Sequence, residues 1–344
     1  MAMGIPRKFK TDKFKRETPA PLKFGADGKF KILHITDIHC VEPEMDDDEK
    51  RAIPEHRNLE TINVIEKLVE KTNPDLVVFG GDNVSGYWEE FTYSLMQNTI
   101  QRITEPIRKR NIPLCVVFGN HDGEVGFHTE FQMMQYMEYP NCRSNLNDAD
   151  VYGCGNCCVT IKDSKGEKDA FAIWLMDSND YERNSTGDFS YDHVHDDQIE
   201  WYEKTAQRIK DEHGGRTIPA ILFQHIPVIE EYELLREAKP HEKIFEAVEG
   251  HRIFSDKKYM LKDGVDKKIE DYVYNGGKFI STFLTGIVDK DDLCHLGGFP
   301  CGNLKEVFGI KSYASRFVSH VILNVVNTEI CECSTLLSCF CSNK

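Results

Sequence analysis

The sequence predicts an α/β protein built as one two-sheet sandwich, on three observations. β-Forming runs alternate with helical stretches in the first third, which implies parallel βαβ units. A hairpin pattern interrupts them in the middle, which calls for an antiparallel sheet. Helix and strand then return to the end of the chain, favouring one domain over two. The predicted boundaries are a flexible basic arm over 1–29, one main folded domain over 30–330 and a cysteine-rich tail over 331–344.

The arm rests on six Lys or Arg within the first sixteen residues, followed by Pro19 and Pro21 without apolar periodicity. Lys29 to Ile35 alternates and is β-branched, giving a strand that ends at Asp37. Glu44 to Glu49 reads as a solvated acidic loop. From Pro54 to Lys71, Leu59, Ile62, Ile65 and Leu68 recur every three residues, suggesting one buried helical face that Asn73-Pro74 closes. Asp75–Phe79 and Pro113–Phe118 are apolar enough for buried parallel strands, with helix between them. Cys157–Ile161 and Phe171–Leu175 flank a polar turn at 163–167 and form the hairpin. Helix is expected over Asp197–Glu212, stopped by Gly214-Gly215, and a strand over 219–223. Pro240 to Asp266 reads as a surface excursion, and strands are expected at 278–284, 307–310 and 317–326.

A net charge of -15 argues against a nucleic-acid or anionic-membrane surface, since both reward clustered Lys and Arg. No apolar run reaches the ~20 residues of a membrane span, and the first residues lack the apolar core of a signal peptide. A soluble, cytoplasmic protein is expected, and its twelve cysteines are expected to be reduced. The tail pattern Cys331, Cys333, Cys339, Cys341 offers metal binding or S-acylation as alternatives to free thiols.

Polar islands follow the β-forming runs in a fixed order: Asp37-Ile38-His39, Gly81-Asp82-Asn83, Gly119-Asn120-His121-Asp122, Gln224-His225, and an altered fifth at Gly286-Ile287-Val288-Asp289. Strand exits are where α/β sheets place chemistry. Each island alone is weak, because strands commonly end in polar turns; their order carries the signal.

That order resembles the calcineurin-like metallophosphoesterase family, over most of 30–326. The resemblance implies an α/β/β/α sandwich with a two-metal site that hydrolyses phosphate esters. In an extended segment residues two apart point the same way, so Asp37 and His39 would address one cation. Asp82 would bridge it to a second cation held by Asn120 and His225. By resemblance His121 touches the phosphate and assists the leaving oxygen, with Asp122 holding its ring.

The family's last island, G-H-x-H, is missing both histidines. Asp289 could replace one as a ligand; His251 and His295 are weaker substitutes. The expected cofactors are two divalent ions, drawn from Mn, Zn, Fe or Mg, the second more weakly held. Ser85 stands where the purple branch of the family has a tyrosine, so a colourless site is expected. Softer matches at Gly153–Asn156, Gln198–Tyr202 and Glu231-Tyr232 resemble small purple-acid-phosphatase-like proteins and favour phosphomonoester substrates. The expected activity is therefore phosphomonoester hydrolysis by metal-activated hydroxide. The alternative is an impaired member that serves as a binding or scaffold protein.

Overall fold

The computed structural model describes residues 18–40, 48–84, 92–183 and 189–227, with strands at 235–237, 259–261, 316–318 and 321–331. Two sheets lie face to face. The first has strand order β12 (Arg316–Val318), β13 (Val321–Cys331), β2 (Lys29–Thr36), β3 (Leu76–Gly80) and β4 (Leu114–Val117). The second runs β1 (Leu22–Lys23), β5 (Cys157–Lys162), β6 (Asp169–Leu175) and β9 (Ala220–Phe223).

Strands β2, β3 and β4 pair in parallel, and the long helices α1 (Asp48–Thr72) and α2 (Tyr93–Arg108) connect them. The two-residue period of β3 splits its side chains between two cores. Leu76 and Val78 join Ile32, Cys115, Ile173 and Phe223 between the sheets. Val77 and Phe79 join Ile65, Ile100, Met133 and other residues of the helical face. Behind the second sheet, Trp174 packs edge-on against Trp201 of α4 (Asp196–Glu212), with ring centroids 5.7 Å apart. Helices outside two stacked sheets give the α/β/β/α layering that the sequence predicts.

Local expectations met two revisions. The basic arm stops sooner than its composition suggests. β1 pairs with β5, and Leu22 and Phe24 are buried in the inter-sheet core. Two apolar residues at strand spacing are enough to anchor the segment, and the proline-preset backbone of 19–21 leads into it. In α1 the buried face runs through Asn58, Thr61, Ile65 and Val69, whereas Leu59 is 47% exposed. A repeat of three drifts around a helix of 3.6 residues per turn, so Leu59 rotates out to solvent. The helix also starts at Asp48, inside the stretch read as a loop.

The hairpin of β5 and β6 pairs antiparallel as expected, and α4 ends before Gly214 and Gly215, both with left-handed φ (66° and 84°). In the region of the expected surface excursion, β11 (Tyr259–Leu261) pairs with β10 (Leu235–Glu237). A further small hairpin joins β7 (Tyr181–Arg183) to β8 (Phe189–Tyr191). A short helix α3 (Thr129–Met137) follows the third island. Among the described residues, no helix is long and apolar enough to cross a membrane. The expected strands at 278–284 and 307–310, the fifth island, Ser85 and the tail pattern past Cys331 lie outside the described residues.

Candidate metal centre

Four islands meet at the strand exits, three from the first sheet and His225 from the second. β2 ends at Thr36, β3 at Gly80, β4 at Val117 and β9 at Phe223. Beyond the strands, the first two islands keep pairing: Asp37 N–H donates to Gly81 C=O (3.0 Å) and His39 N–H to Asp82 C=O (2.8 Å). The backbone there is not extended. Asp37, His39 and Asp82 all have left-handed φ, at 57°, 46° and 51°. Asp37 and His39 do converge, with Oδ1 and Nε2 3.8 Å apart, but by coiling against the second island rather than by strand alternation. Three strained residues in one pocket, each costing about 1–3 kcal/mol, mark where the fold gives up stability for geometry.

Asp82 is the hub. Its Oδ2 lies 3.2 Å from His225 Nε2, 3.6 Å from His39 Nε2 and 4.0 Å from His121 Nε2. Its Oδ1 accepts the His121 backbone N–H at 2.9 Å. Two ligand triples result, Asp37-Asp82-His225 and His39-Asp82-His121, sharing the one carboxylate. His225 is oriented from behind, since its Nδ1 meets Gly80 C=O at 3.0 Å and turns Nε2 toward Asp82. Glycine makes room for that ring: a Cβ on Gly81 would stand 2.6 Å from His225 Cγ, and one on Gly119 2.6 Å from its Cδ2. Ser178 Oγ accepts the Ile226 N–H at 2.9 Å, fixing the same loop.

Charge at the hub is strongly coupled. Burial alone would raise Asp82, yet the neighbouring His225 and His39 leave it below the usual carboxylate range. Burial alone would lower His225, but Asp82 outweighs it and pushes the imidazole up to about 9. A cation bound here would take the place of that proton, so loading is a proton-releasing exchange. The donor set fits divalent metal: carboxylate and imidazole groups converge on Asp82, and His225 is held from behind by Gly80 C=O.

Asn120 donates its amide nitrogen to Tyr181 Oη at 2.7 Å. A cation ligand must use the other end of that side chain, the carbonyl oxygen. Tyr181 Oη in turn donates to Glu124 Oε1 at 2.9 Å, and Glu124 Oε2 meets His121 Nδ1 at 2.7 Å. The carboxylate that holds the His121 ring is thus Glu124, one helical step along, and not Asp122 as expected. Asp122 turns inward, fully buried, and accepts N–H groups from Gly119, Asn83 and Val84 at 2.8 to 3.1 Å. It clamps the second and third islands together. Burial first, then the nearby Asp82, raises its carboxyl to about 7.

Glu124 was detectable in principle, because residues three apart on a helical turn face each other. Tyr181 arrives from a separate hairpin and no local pattern marks it. Two of the softer matches also meet: Gln198 Nε2 donates to Asn156 Oδ1 (2.9 Å) and to Asp177 C=O (2.8 Å), in a buried network beside Ser178, while Glu231-Tyr232 lies outside the described residues. Asp289, His251 and His295 lie outside the described residues.

His34, on β2 below the site, packs against Phe223 with ring centroids 4.9 Å apart. Burial, opposed by Asp37, lowers its imidazole to about 4. The unfolded chain protonates this ring near pH 6.5, so the folded state loses stability as pH falls from there toward 4 and keeps it above. In metal-free protein the loss should reach up to about 3 kcal/mol. Urea midpoints from pH 7 to 4.5 should therefore fall less steeply in His34→Gln than in the parent; equal slopes would refute this.

Comparison with known proteins agrees with the geometry. The model of the "Calcineurin-like phosphoesterase" family matches residues 30–255, and a second model, "Beta-galactosidase trimerisation domain", matches 255–339. The chain is 30% identical over 227 residues to "Probable inactive purple acid phosphatase 14" of Arabidopsis thaliana, covering 61% of this chain and 56% of that protein. It is 25% identical over 233 residues to "Phosphatase DCR2" of Saccharomyces cerevisiae, covering 63% and 38%. A separate stretch of 52 residues is 58% identical to "Beta-galactosidase LacA" of Lactobacillus acidophilus, covering 15% and 8%. The chain thus spans about half the length or less of these relatives. With the matched model spanning well over half of the 344 residues and all four of its intact islands gathered around Asp82, the chain belongs to the calcineurin-like phosphoesterase family.

Proposed function

We propose that this chain is a metal-dependent phosphomonoesterase whose centre is held by Asp37, His39, Asp82, Asn120 and His225. The observation that carries the reading is the Asp82 carboxylate, common to both ligand triples, with its Oδ2 3.2 to 4.0 Å from Nε2 of His225, His39 and His121. Two divalent ions bound there would polarise a phosphoryl oxygen and make water a nucleophile near neutral pH. The chain's own residues do the rest. Asp82 Oδ1 fixes the His121 backbone, and Glu124 fixes its ring. An ionised carboxylate only accepts, so the proton at that contact sits on Nδ1 and Nε2 faces the pocket. Protonated at Nε2, His121 can give that proton to the departing oxygen. Manganese, the cytoplasm and a phosphomonoester substrate remain parts of this proposal. Buried Cys115, Cys142 and Cys157, packed as small apolar groups, suit a reducing compartment.

Hydrolysis of a chromogenic phosphomonoester with added manganese tests the reading. His121→Ala should lower kcat by about 100-fold while leaving metal bound. Equal rates in parent and variant would end the proposal.

A second reading has its own observation. The calcineurin-like match ends at residue 255, and the fifth island lies within the stretch similar to the trimerisation domain. Asp289 falls in that second stretch, and the five ligands above form the proposed centre without relying on it. A centre lacking its last island fits an impaired member that binds rather than hydrolyses, in line with relatives named inactive. Manganese retained without turnover would favour it.

A further inference from the structure

A second group of ligating side chains stands apart from the centre, where the β7–β8 hairpin runs into α4. Asp192 is buried, and its Oδ1 lies 3.2 Å from His193 Nδ1 and 3.1 Å from His195 Nε2. The two imidazoles stack at 4.7 Å between centroids, nearly parallel at 6°. Tyr152 stacks on the other side of His195 at 3.8 Å. The backbone around the rings is pinned: Asn179 Nδ2 donates to His193 C=O at 2.6 Å, and the His195 N–H donates to Gln198 Oε1 at 2.8 Å. The rings are therefore placed before any ligand arrives.

We propose that Asp192, His193 and His195 form a peripheral site for a borderline divalent ion such as zinc, its remaining positions filled by water. Nitrogen-to-oxygen separations of 3.1 and 3.2 Å are those of neighbouring ligand atoms around an ion with bonds of about 2.0–2.2 Å. Two imidazoles and one carboxylate select a transition ion over magnesium or calcium, which want oxygen. The approach is open, because the His193 side chain is 58% exposed. Without metal, the same distances serve hydrogen bonds from the rings to Asp192, so proton and cation compete for one place.

The position gives the ion a structural consequence. It ties the first turn of α4 to the foot of the hairpin whose Tyr181 touches both Asn120 and Glu124. Tyr181 and Tyr191, the residue before Asp192, are directly paired across that hairpin. The proposal does not depend on turnover at the central site.

Diethyl pyrocarbonate acylation of the full chain, mapped by peptide mass spectrometry with and without zinc, reads each ring separately. Zinc should suppress labelling of both His193 and His195, in the parent and equally in Asp82→Asn. In His193→Ala, which removes an exposed ring, protection of His195 should need about 100-fold more zinc. Labelling unchanged by zinc would overturn the site, as would protection lost in Asp82→Asn. So would His195 protected at the parent's zinc concentration after His193 is gone.

Discussion

Asp82→Asn is expected to lower phosphomonoester hydrolysis by about 1000-fold and to strip divalent metal from the centre. The substitution is nearly isosteric, yet it replaces one oxygen of the hub by a donor. Nε2 of His225 and His39 lie 3.2 and 3.6 Å from Oδ2, and neither can share a cation with an amide nitrogen. His225 also loses the charge that raises it to about 9. Its pKa should fall after the substitution, readable as loss of its high-pH titration in metal-free protein. Metal analysis alongside initial rates separates the two possible failures. A variant that keeps its ions and its rate would dismantle the proposed site, whereas a parent with ions and no rate would leave the binding reading.

Asp122→Ala is expected to cost about 3–5 kcal/mol of folding stability. Its carboxylate accepts N–H groups from Asn83, Val84 and Gly119, all in buried surroundings. Alanine leaves three donors with no acceptor and opens a void between two islands. Relief of repulsion with Asp82 offsets part of the cost, since that neighbour is among the causes that raise Asp122. Asp122→Asn should lie between, because one carbonyl oxygen still reaches Val84 and Asn83. Urea unfolding of the three proteins checks the order. A loss under about 1 kcal/mol for the alanine variant would mean that water replaces the carboxylate, contrary to its burial.

Much of the frame was readable from residues alone. The β-forming runs of β2, β3 and β4 are short, apolar and closed by glycine or polar turns, so their existence and order follow from composition and period. The hairpin of β5 and β6 announced itself by a charged turn between two apolar runs. Helix faces were less legible: Leu59 sits at a spacing of three, and only the real pitch shows that Thr61 and Asn58 turn inward instead. Charge dominates the composition of residues 1–29, while two buried residues, Leu22 and Phe24, decide where that segment joins the core.

The sequence by itself marked which side chains could serve a metal centre, since Asp37, His39, Asp82, Asn120 and His225 carry donor chemistry where β-forming runs end. It could not determine how they meet. Asp37 and His39 converge through left-handed backbone held by the neighbouring island, and His225 crosses from the other sheet. Likewise Glu124, not Asp122, holds His121, and Tyr181 links that pair to Asn120. Local spacing specifies a residue's direction only within one element. Contacts between elements are set by the packing of two sheets and by loop geometry, and those exist only once the chain is folded.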